Sequence, residues 1–325
     1  MKKDVTVIIP NWNGRELLLS CLTSLRQQTY ADFTVCIVDN GSTDGSVEEI
    51  KATFPEVKVI SLPQNVGFAK AINIGLKGTK GKYVALLNND TKTDPHWLES
   101  LLVGIESLPG VAACASKMIN FYDPLLIDGC GDVINIVGQG RARGQGKRDV
   151  GQYSKREEIF SVCAGAALYK REVFEDVGFF DEDFFAYFED LDWSFRAQLE
   201  GFTFLYVPDA VVYHVHGATA NRNKRFRHYL EFRNMTQMVI KDMPLCLLFK
   251  RWRFLKIPLI HARTIHYFCK MGMMKEALLV ERYVFTHLFQ LLKKRAEIQK
   301  KRRVSCDDLD RKMEGKRIRL WKWYL

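Results

Sequence analysis

"YVALLNND", Tyr83 to Asp90, is the stretch on which the fold turns. Tyr83 to Leu87 are an apolar run of strand length, and Asn88, Asn89 and Asp90 close it with two amides and a carboxylate. A turn after a strand needs only one such group. The same ending recurs upstream, where "FTVCIVDN" stops on Asp39 and Asn40 and "VTVIIPNWNG" on Asn11 and Asn13. Between these runs lie segments that read as helices: "GRELLLSCLTSLRQQ", with leucine at helical spacing, "DGSVEEIKATF", "GFAKAINIGLKG" and "DPHWLESLLVGIESL". The last is expected to open with Asp94 as cap and Pro95 at its first position. Continuous apolar strands alternating with amphipathic helices predict an α/β fold, a mostly parallel central sheet with helices on both faces. In such sheets ligands bind beyond the carboxyl ends of the strands, so the polar endings mark a site.

Downstream the pattern changes. Residues 120–154, with "GQGRARGQGKRDVGQ", read as a Gly-rich basic loop. "IFSVCAGAALYK" reads as a strand, "FEDLDWSFRAQLEGF" as a helix and "FTFLYVPDAVVYHVHG" as short strands. From Arg222 to Leu325 there are 27 Lys+Arg against 9 Asp+Glu, a balance of +18, while residues 1–221 carry 21 against 29, a balance of −8. The expected division is therefore 1–221, a catalytic domain, and 222–325, a basic helical extension. Its mixture of Leu, Phe and Trp with Lys and Arg suits an anionic membrane surface, or else helices packed on the first domain. Nucleic acid is the weaker partner, because no base-stacking sheet accompanies the charge.

The eight cysteines contain no CxxC pair and several sit in apolar runs, which predicts reduced cysteines and a cytoplasmic protein without a disulfide framework. The apolar stretch near the start, Val5 to Ile9, is too short for a secretory leader, and no window reaches the length of a spanning helix.

The carboxylates carry the chemistry. Asp90 at a strand end, beside amide oxygens, offers hard-oxygen ligation for Mg²⁺ or Mn²⁺. Each acid also has a plainer reading: Asp39 as an Asx-turn residue, Asp90 as a helix cap, Asp190 as a solvated helix-face acid. The aromatic neighbours Phe185, Tyr187, Phe188 and Trp193 favour a cleft around Asp190, and Trp193 is the one aromatic weighed as a sugar platform.

The ordered series "VIIPNWNG", "IVDNGSTDGS", "NVGFAKAINIGL", "LLNND", "CAGAALYKREVFEDVGFFDEDFF", "YFEDLDWSFRAQLEGF" and "AVVYHVHGAT" resembles glycosyltransferase family 2, within it the rhamnosyltransferase-like, cell-surface polysaccharide branch. The resemblance spans about Val5 to Thr219, and more weakly "YLEFRNMTQ". It implies the GT-A nucleotide-diphospho-sugar transferase fold and an inverting transfer from a UDP- or dTDP-linked donor to a lipid-linked or oligosaccharide acceptor, on the inner face of the cell membrane. It further implies that Pro10, Asn11, Asn13, Asp39, Asn65, Gly67, Asn73, Asn88 and Asn89 bind the nucleotide-sugar. Asp90 and His214 would hold the metal, with His216 as the near alternative to His214. Asp190 would be the catalytic base, with Glu189 and Asp192 shaping its surroundings. Asn88 stands where the family's D-x-D motif has its first Asp, which leaves Asp90 as the main metal ligand. A sugar-1-phosphate nucleotidyltransferase would need a Gly-rich basic loop after the first strand, and "VIIPNWNGRELL" has only Gly14. A non-catalytic binding module would be expected to lose one of Asp39, Asp90 and Asp190, and all are present.

Overall fold

The computed structural model describes residues 4–215, 217 and 223–313; His216 lies outside them. The polar-ended runs are strands: β1 (Val5–Asn11), β2 (Phe33–Asp39), β3 (Lys58–Ser61) and β4 (Tyr83–Leu87). They alternate with α1 (Arg15–Leu25), α2 (Ser46–Thr53) and α3 (Phe68–Gly78). Side chains on a strand point alternately to opposite faces, so a strand apolar throughout feeds two cores. Ile8, Val84 and Leu86 pack under Ala69, Ile72 and Leu76 of α3. Val7, Ile9, Ala85 and Leu87 pack on the other face, under Leu18 and Leu22 of α1 and Trp97 and Leu101 of α4 (Trp97–Glu106). Helix α4 starts later than its sequence suggests, because Asp94 caps a turn instead, its Oδ1 accepting from the His96 N–H at 2.9 Å.

Strands β3, β2, β1 and β4 lie side by side in parallel. The order 3-2-1-4 reverses direction at β1, which makes the gap between the ends of β1 and β4 a topological switch point. Beyond β4 the sheet is mixed. Strand β11 (Ala166–Lys170) inserts antiparallel between β4 and β6 (Val111–Asn120), and β6 pairs in parallel with β12 (Thr203–His214). The apolar β11 run carries no signal of direction. β12 is one strand, not several; the register breaks between Val207 and Val211, around Pro208, which has no N–H for the ladder.

Two further expectations are corrected. Residues 120–154 are not a loop throughout, since they contain β7 (Ile127–Cys130), β8 (Asp132–Ile134) and β9 (Gly140–Ala142). β7 extends the main sheet against β6, and β8 pairs with β9. Glycines at positive φ, including Gly131, Gly138 and Gly144, make the turns that dominate the composition. The cysteine expectation also fails at one pair, because Cys246 and Cys306, 60 positions apart in sequence, form a disulfide with Cα atoms 6.3 Å apart.

The C-terminal helices are α7 (Lys224–Asp242), α8 (Leu245–Phe249), α9 (Arg253–Lys270), α10 (Met274–Lys300) and α11 (Cys306–Lys312). They share a core with the first part of the chain. Met238, Met243, Leu247, Leu309 and Met313 pack with Phe184, Leu191, Phe195 and Leu199, the last three from α6 (Glu189–Glu200). A buried ionic cluster reinforces this contact. Lys241 Nζ lies 2.7 Å from Asp192 Oδ1, an ion pair without hydrogen-bond alignment, and also bonds Asp181. Lys294 reaches Asp181 Oδ1 and Asp183 Oδ2, each at 2.7 Å. The described C-terminal residues, 223–313, are thus built onto α6 rather than hung from it.

Candidate active site

The end of β1 is fixed by a network of short polar groups. Asn11, buried, donates from Nδ2 to Asp39 Oδ1 at 3.0 Å and accepts at Oδ1 from Asn89 Nδ2 at 2.7 Å. Asp39 Oδ2 accepts from the Ser42 N–H at 3.0 Å. Ser42 Oγ in turn accepts from the Asn13 N–H at 2.9 Å, and Asn13 Oδ1 from the Thr43 N–H at 2.7 Å. Asn13 is left-handed, with φ 49°, a conformation asparagine tolerates. Gly14 follows because Asn89 approaches so closely that a Cβ there would lie 2.3 Å from its Nδ2. Pro10, Asn11, Asn13, Asp39 and Asn89 are therefore brought together at the switch point. Asn88 sits beside them, its N–H donating to Gly165 O at 2.8 Å.

Asn65 and Gly67 form the approach to α3. Asn65 Oδ1 accepts from the Gly67 N–H at 2.9 Å and from Asn40 Nδ2 at 3.0 Å. Gly67 has φ 89°, and a Cβ would meet Phe185 O at 2.6 Å, so only glycine fits. Asn73 is placed differently. Its Nδ2 donates to Phe180 O at 2.9 Å and its Oδ1 accepts from the Phe180 N–H at 3.1 Å. Both ends of that amide are committed to pinning the 178–184 segment, a scaffold task.

At the other end of the cleft, β5 (Thr91–Thr93) pairs with β12 and sets His214 opposite Thr91. His214 Nε2 lies 3.3 Å from Asp90 Oδ1, a buried oxygen that accepts no hydrogen bond. His214 Nδ1 lies 2.6 Å from Asp128 Oδ2 on β7. Burial opposes charge on the imidazole, but Asp128 and Asp90 outweigh it and raise the pKa from 6.5 to about 10. A buried carboxylate oxygen without a hydrogen bond offers hard-oxygen ligation for Mg²⁺ or Mn²⁺, and the imidazole can join it only as the neutral ring, its proton displaced by the ion. Asp90 and His214 could hold that ion, with Asp128 fixing the ring from behind.

Asp190 opens helix α6. Its Oδ2 accepts from the Ala164 N–H at 3.1 Å and its Oδ1 from the Leu191 N–H at 2.8 Å. It is partly open to solvent yet crowded by protein, and that burial raises its pKa, while the N–H donors of Ala164 and Leu191 act in the opposite sense. Oxygens of Asp132 and Asp190 and the Cys163 sulfur all lie within 4.8 Å of one another. Burial, then the charges of Asp190 and Asp128, pushes Asp132 well above the usual carboxylate range. Burial and Asp190 do the same to Glu189. Asp190 is the carboxylate of this group that remains accessible, while Asp132 and Glu189 are buried. A pocket of about 140 Å³ is lined in part by Asp128, Asp132, Cys163 and His214; His214 lies against Asp90, and Asp132 and Cys163 lie beside Asp190.

Asp192 and Trp193 turn away from this chemistry. Asp192 is fully buried and bonded to Arg196 Nε at 2.9 Å as well as paired with Lys241, so it ties α6 to α7. Trp193 is fully buried with its Nε1 donating to Gly178 O at 2.9 Å, which corrects its reading as a sugar platform. Sequence reading missed Asp128 and Asp132, which lie in the segment taken for a loop. Alternation of small and apolar residues in "LLIDGCGDVINI" was the available signal.

The profile described as glycosyl transferase family 2 matches residues 6–178. The pre-mycofactocin glycosyltransferase of Mycobacterium tuberculosis is 30% identical over 66% of this chain and 43% of its own length. Chondroitin synthase of Pasteurella multocida is 35% identical over 30% of this chain and 10% of its own. The chain spans 27%, 36% and 43% of the length of three curated relatives it matches. Among solved structures, GalNAc-T7 with UDP, GalNAc and Mn²⁺ superposes with a TM-score of 0.59 at 16% identity, over 73% of this chain and 48% of that one. The mannosyltransferase PcManGT from Pyrobaculum calidifontis, with GDP-Man and Mn²⁺, gives 0.56 at 18% identity, over 93% and 85%. These likenesses establish the GT-A fold.

Proposed function

Since the chain belongs to glycosyl transferase family 2, we propose that it moves a sugar from a nucleoside-diphosphate donor to a hydroxyl of a saccharide acceptor, with inversion. The observation that carries this is one pocket lined by His214, Asp128, Asp132 and Cys163, with Asp90 against His214 and Asp190 beside Asp132 and Cys163. A donor diphosphate fits the Asp90 end and an acceptor hydroxyl the Asp190 end. Asp190 takes the acceptor proton as the acceptor oxygen bonds the anomeric carbon and the carbon–diphosphate bond breaks. Asp190 is the accessible carboxylate of a group whose other acid, Asp132, is buried, and one accessible base suits direct displacement. Mg²⁺ or Mn²⁺, held by Asp90 and His214, would supply Lewis-acid neutralisation of the leaving diphosphate. Asn11, Asp39 and Asn89 would orient the nucleotide, in our reading linked to UDP or dTDP. Calorimetry against UDP-glucose, UDP-N-acetylglucosamine, dTDP-rhamnose and GDP-mannose, with Mn²⁺, is the test. One donor should bind; no binding by any of them counts against the proposal.

We place the enzyme in the cytoplasm, peripheral on the inner face of the membrane, with a lipid-linked acceptor. Among the described residues no helix is long and apolar enough to cross a membrane. Leu245, Phe249 and Trp252 are 63%, 72% and 66% exposed, beside Lys250 and Arg251, and Phe285 and Phe289 are each 82% exposed on α10. Aromatic and basic groups together suit an anionic interface, at about 1 kcal/mol per basic residue near the surface. The protein should co-sediment with phosphatidylglycerol vesicles, less so at high salt, and Trp252→Ala should weaken it. Equal binding to phosphatidylcholine vesicles would contradict the electrostatic part.

A further inference from the structure

The loop that delivers Asp190 is held in an unfavourable path. Phe185, Tyr187 and Phe188 have φ of 62°, 69° and 69°, the left-handed region that non-glycine residues avoid. None of the three is Asn or Gly, and Phe188 caps the very helix whose second residue is Asp190. Such strain persists only where the surroundings impose it, and it gathers at functional sites.

What imposes it is one side chain from the C-terminal helices. Asn234, on α7, is fully buried. Its Nδ2 lies 2.9 Å from Phe184 O, 2.8 Å from Ala186 O and 2.7 Å from Tyr187 O, donating to all of them. Two amide hydrogens serve three carbonyls, so at least one bond is shared. Its Oδ1 accepts from Gln237 Nε2 at 3.0 Å and Arg233 Nε at 2.9 Å, which fixes which end of the amide faces the loop. Arg233 Nη2 adds bonds to Asp183 O at 2.7 Å and Phe184 O at 2.9 Å. On its other side the same loop touches the donor end, as the Ala69 N–H donates to Phe185 O at 3.2 Å.

We propose that Asn234 is a positioning residue for Asp190: its carboxamide gathers the carbonyls of 184, 186 and 187 and so holds the left-handed path that sets the base against the acceptor. This rests on Asp190 acting as the base. A helix read as an appendage is then part of the catalytic apparatus, acting without touching substrate.

The test compares parent, Asn234→Ala and Asn234→Asp with whichever sugar nucleotide of the panel binds the parent, reading nucleoside-diphosphate release and donor Kd. Misplacing a reacting group by about 1 Å costs about 10²-fold, so kcat should fall by about that factor while donor Kd stays within about twofold. Glycine adopts the left-handed region freely, so Tyr187→Gly added to either variant should return part of the lost kcat. Full kcat in a folded Asn234 variant overturns the proposal. So does a loss that Tyr187→Gly does not recover, since a general packing role for Asn234 would not be relieved at 187. Should a single variant not fold, refolding on addition of Tyr187→Gly supports the clamp, and continued failure to fold counts against it. A parent without turnover would instead sink the transferase reading.

Discussion

Asp190→Asn lowers kcat by about 10²- to 10⁴-fold, the usual worth of a general base, and leaves donor Kd nearly unchanged. The amide keeps the shape, and its one oxygen can accept from Ala164 or from Leu191 but not from both; it cannot take a proton from the acceptor. The pH dependence carries a second signature. Burial raises the Asp190 pKa, so the acid limb of kcat/KM should lie above the ordinary Asp value of about 3.9. Activity should fall as pH drops through that raised value, because the base must be ionised to work. Burial and neighbouring carboxylates push Glu189 and Asp132 up as well, so these acids compete for protons around Asp190. If Asp190→Asn keeps near-parent kcat, another group removes the proton and the proposed roles are wrong.

Lys241→Met should destabilise the fold by about 3–5 kcal/mol, the cost of breaking a buried ion pair from one side. Lys241 is 1% exposed and Asp192 0%, so water cannot take the place of the lost ammonium. Arg196 remains on Asp192, but Asp181 keeps only Lys294. Replacing Asp192 by Leu as well should not recover the loss, because the buried Arg196 then loses its carboxylate. The same cluster predicts an acid response. Burial works against charge on Asp181, yet Lys241 and Lys294 overcome it and depress its pKa below the usual value. A group depressed in the folded state stabilises above its unfolded pKa and loses that contribution as pH falls below it. Docking of the C-terminal helices should therefore weaken below about pH 4. Urea unfolding of parent and variant checks the first claim. A loss under about 1 kcal/mol would mean the pair is solvated and the helices are not locked to α6.

The parallel half of the sheet was legible because strand and helix periods differ and each run there is pure. "YVALL" is apolar at every position and "VTVIIP" at all but Thr6, as suits strands covered on both faces. The polar endings were legible for the same reason: Asn11, Asp39 and Asn89 have no place in a core and meet each other at the switch point. Other features depend on partners distant in sequence. Strand β11 reads the same in either direction. Asp128 acquires meaning only when β7 joins β6 and meets His214, 86 residues away. Asn73 looks like a cleft residue until Phe180 takes both ends of its amide. Asn234 looks like an ordinary helix residue until the carbonyls of a strained loop converge on it. Cys246 finds Cys306 only because α11 folds back on α8.

The central claim is that Asp90 helps hold a cation that holds the donor diphosphate. Calorimetric titration of the bound sugar nucleotide into parent protein with Mn²⁺, with EDTA, and into Asp90→Ala with Mn²⁺ tests it most directly. The account predicts tight binding in the first case and a loss of at least about tenfold in both others, as expected when a metal ligand or the metal is removed. Binding that ignores EDTA and the substitution alike would contradict it.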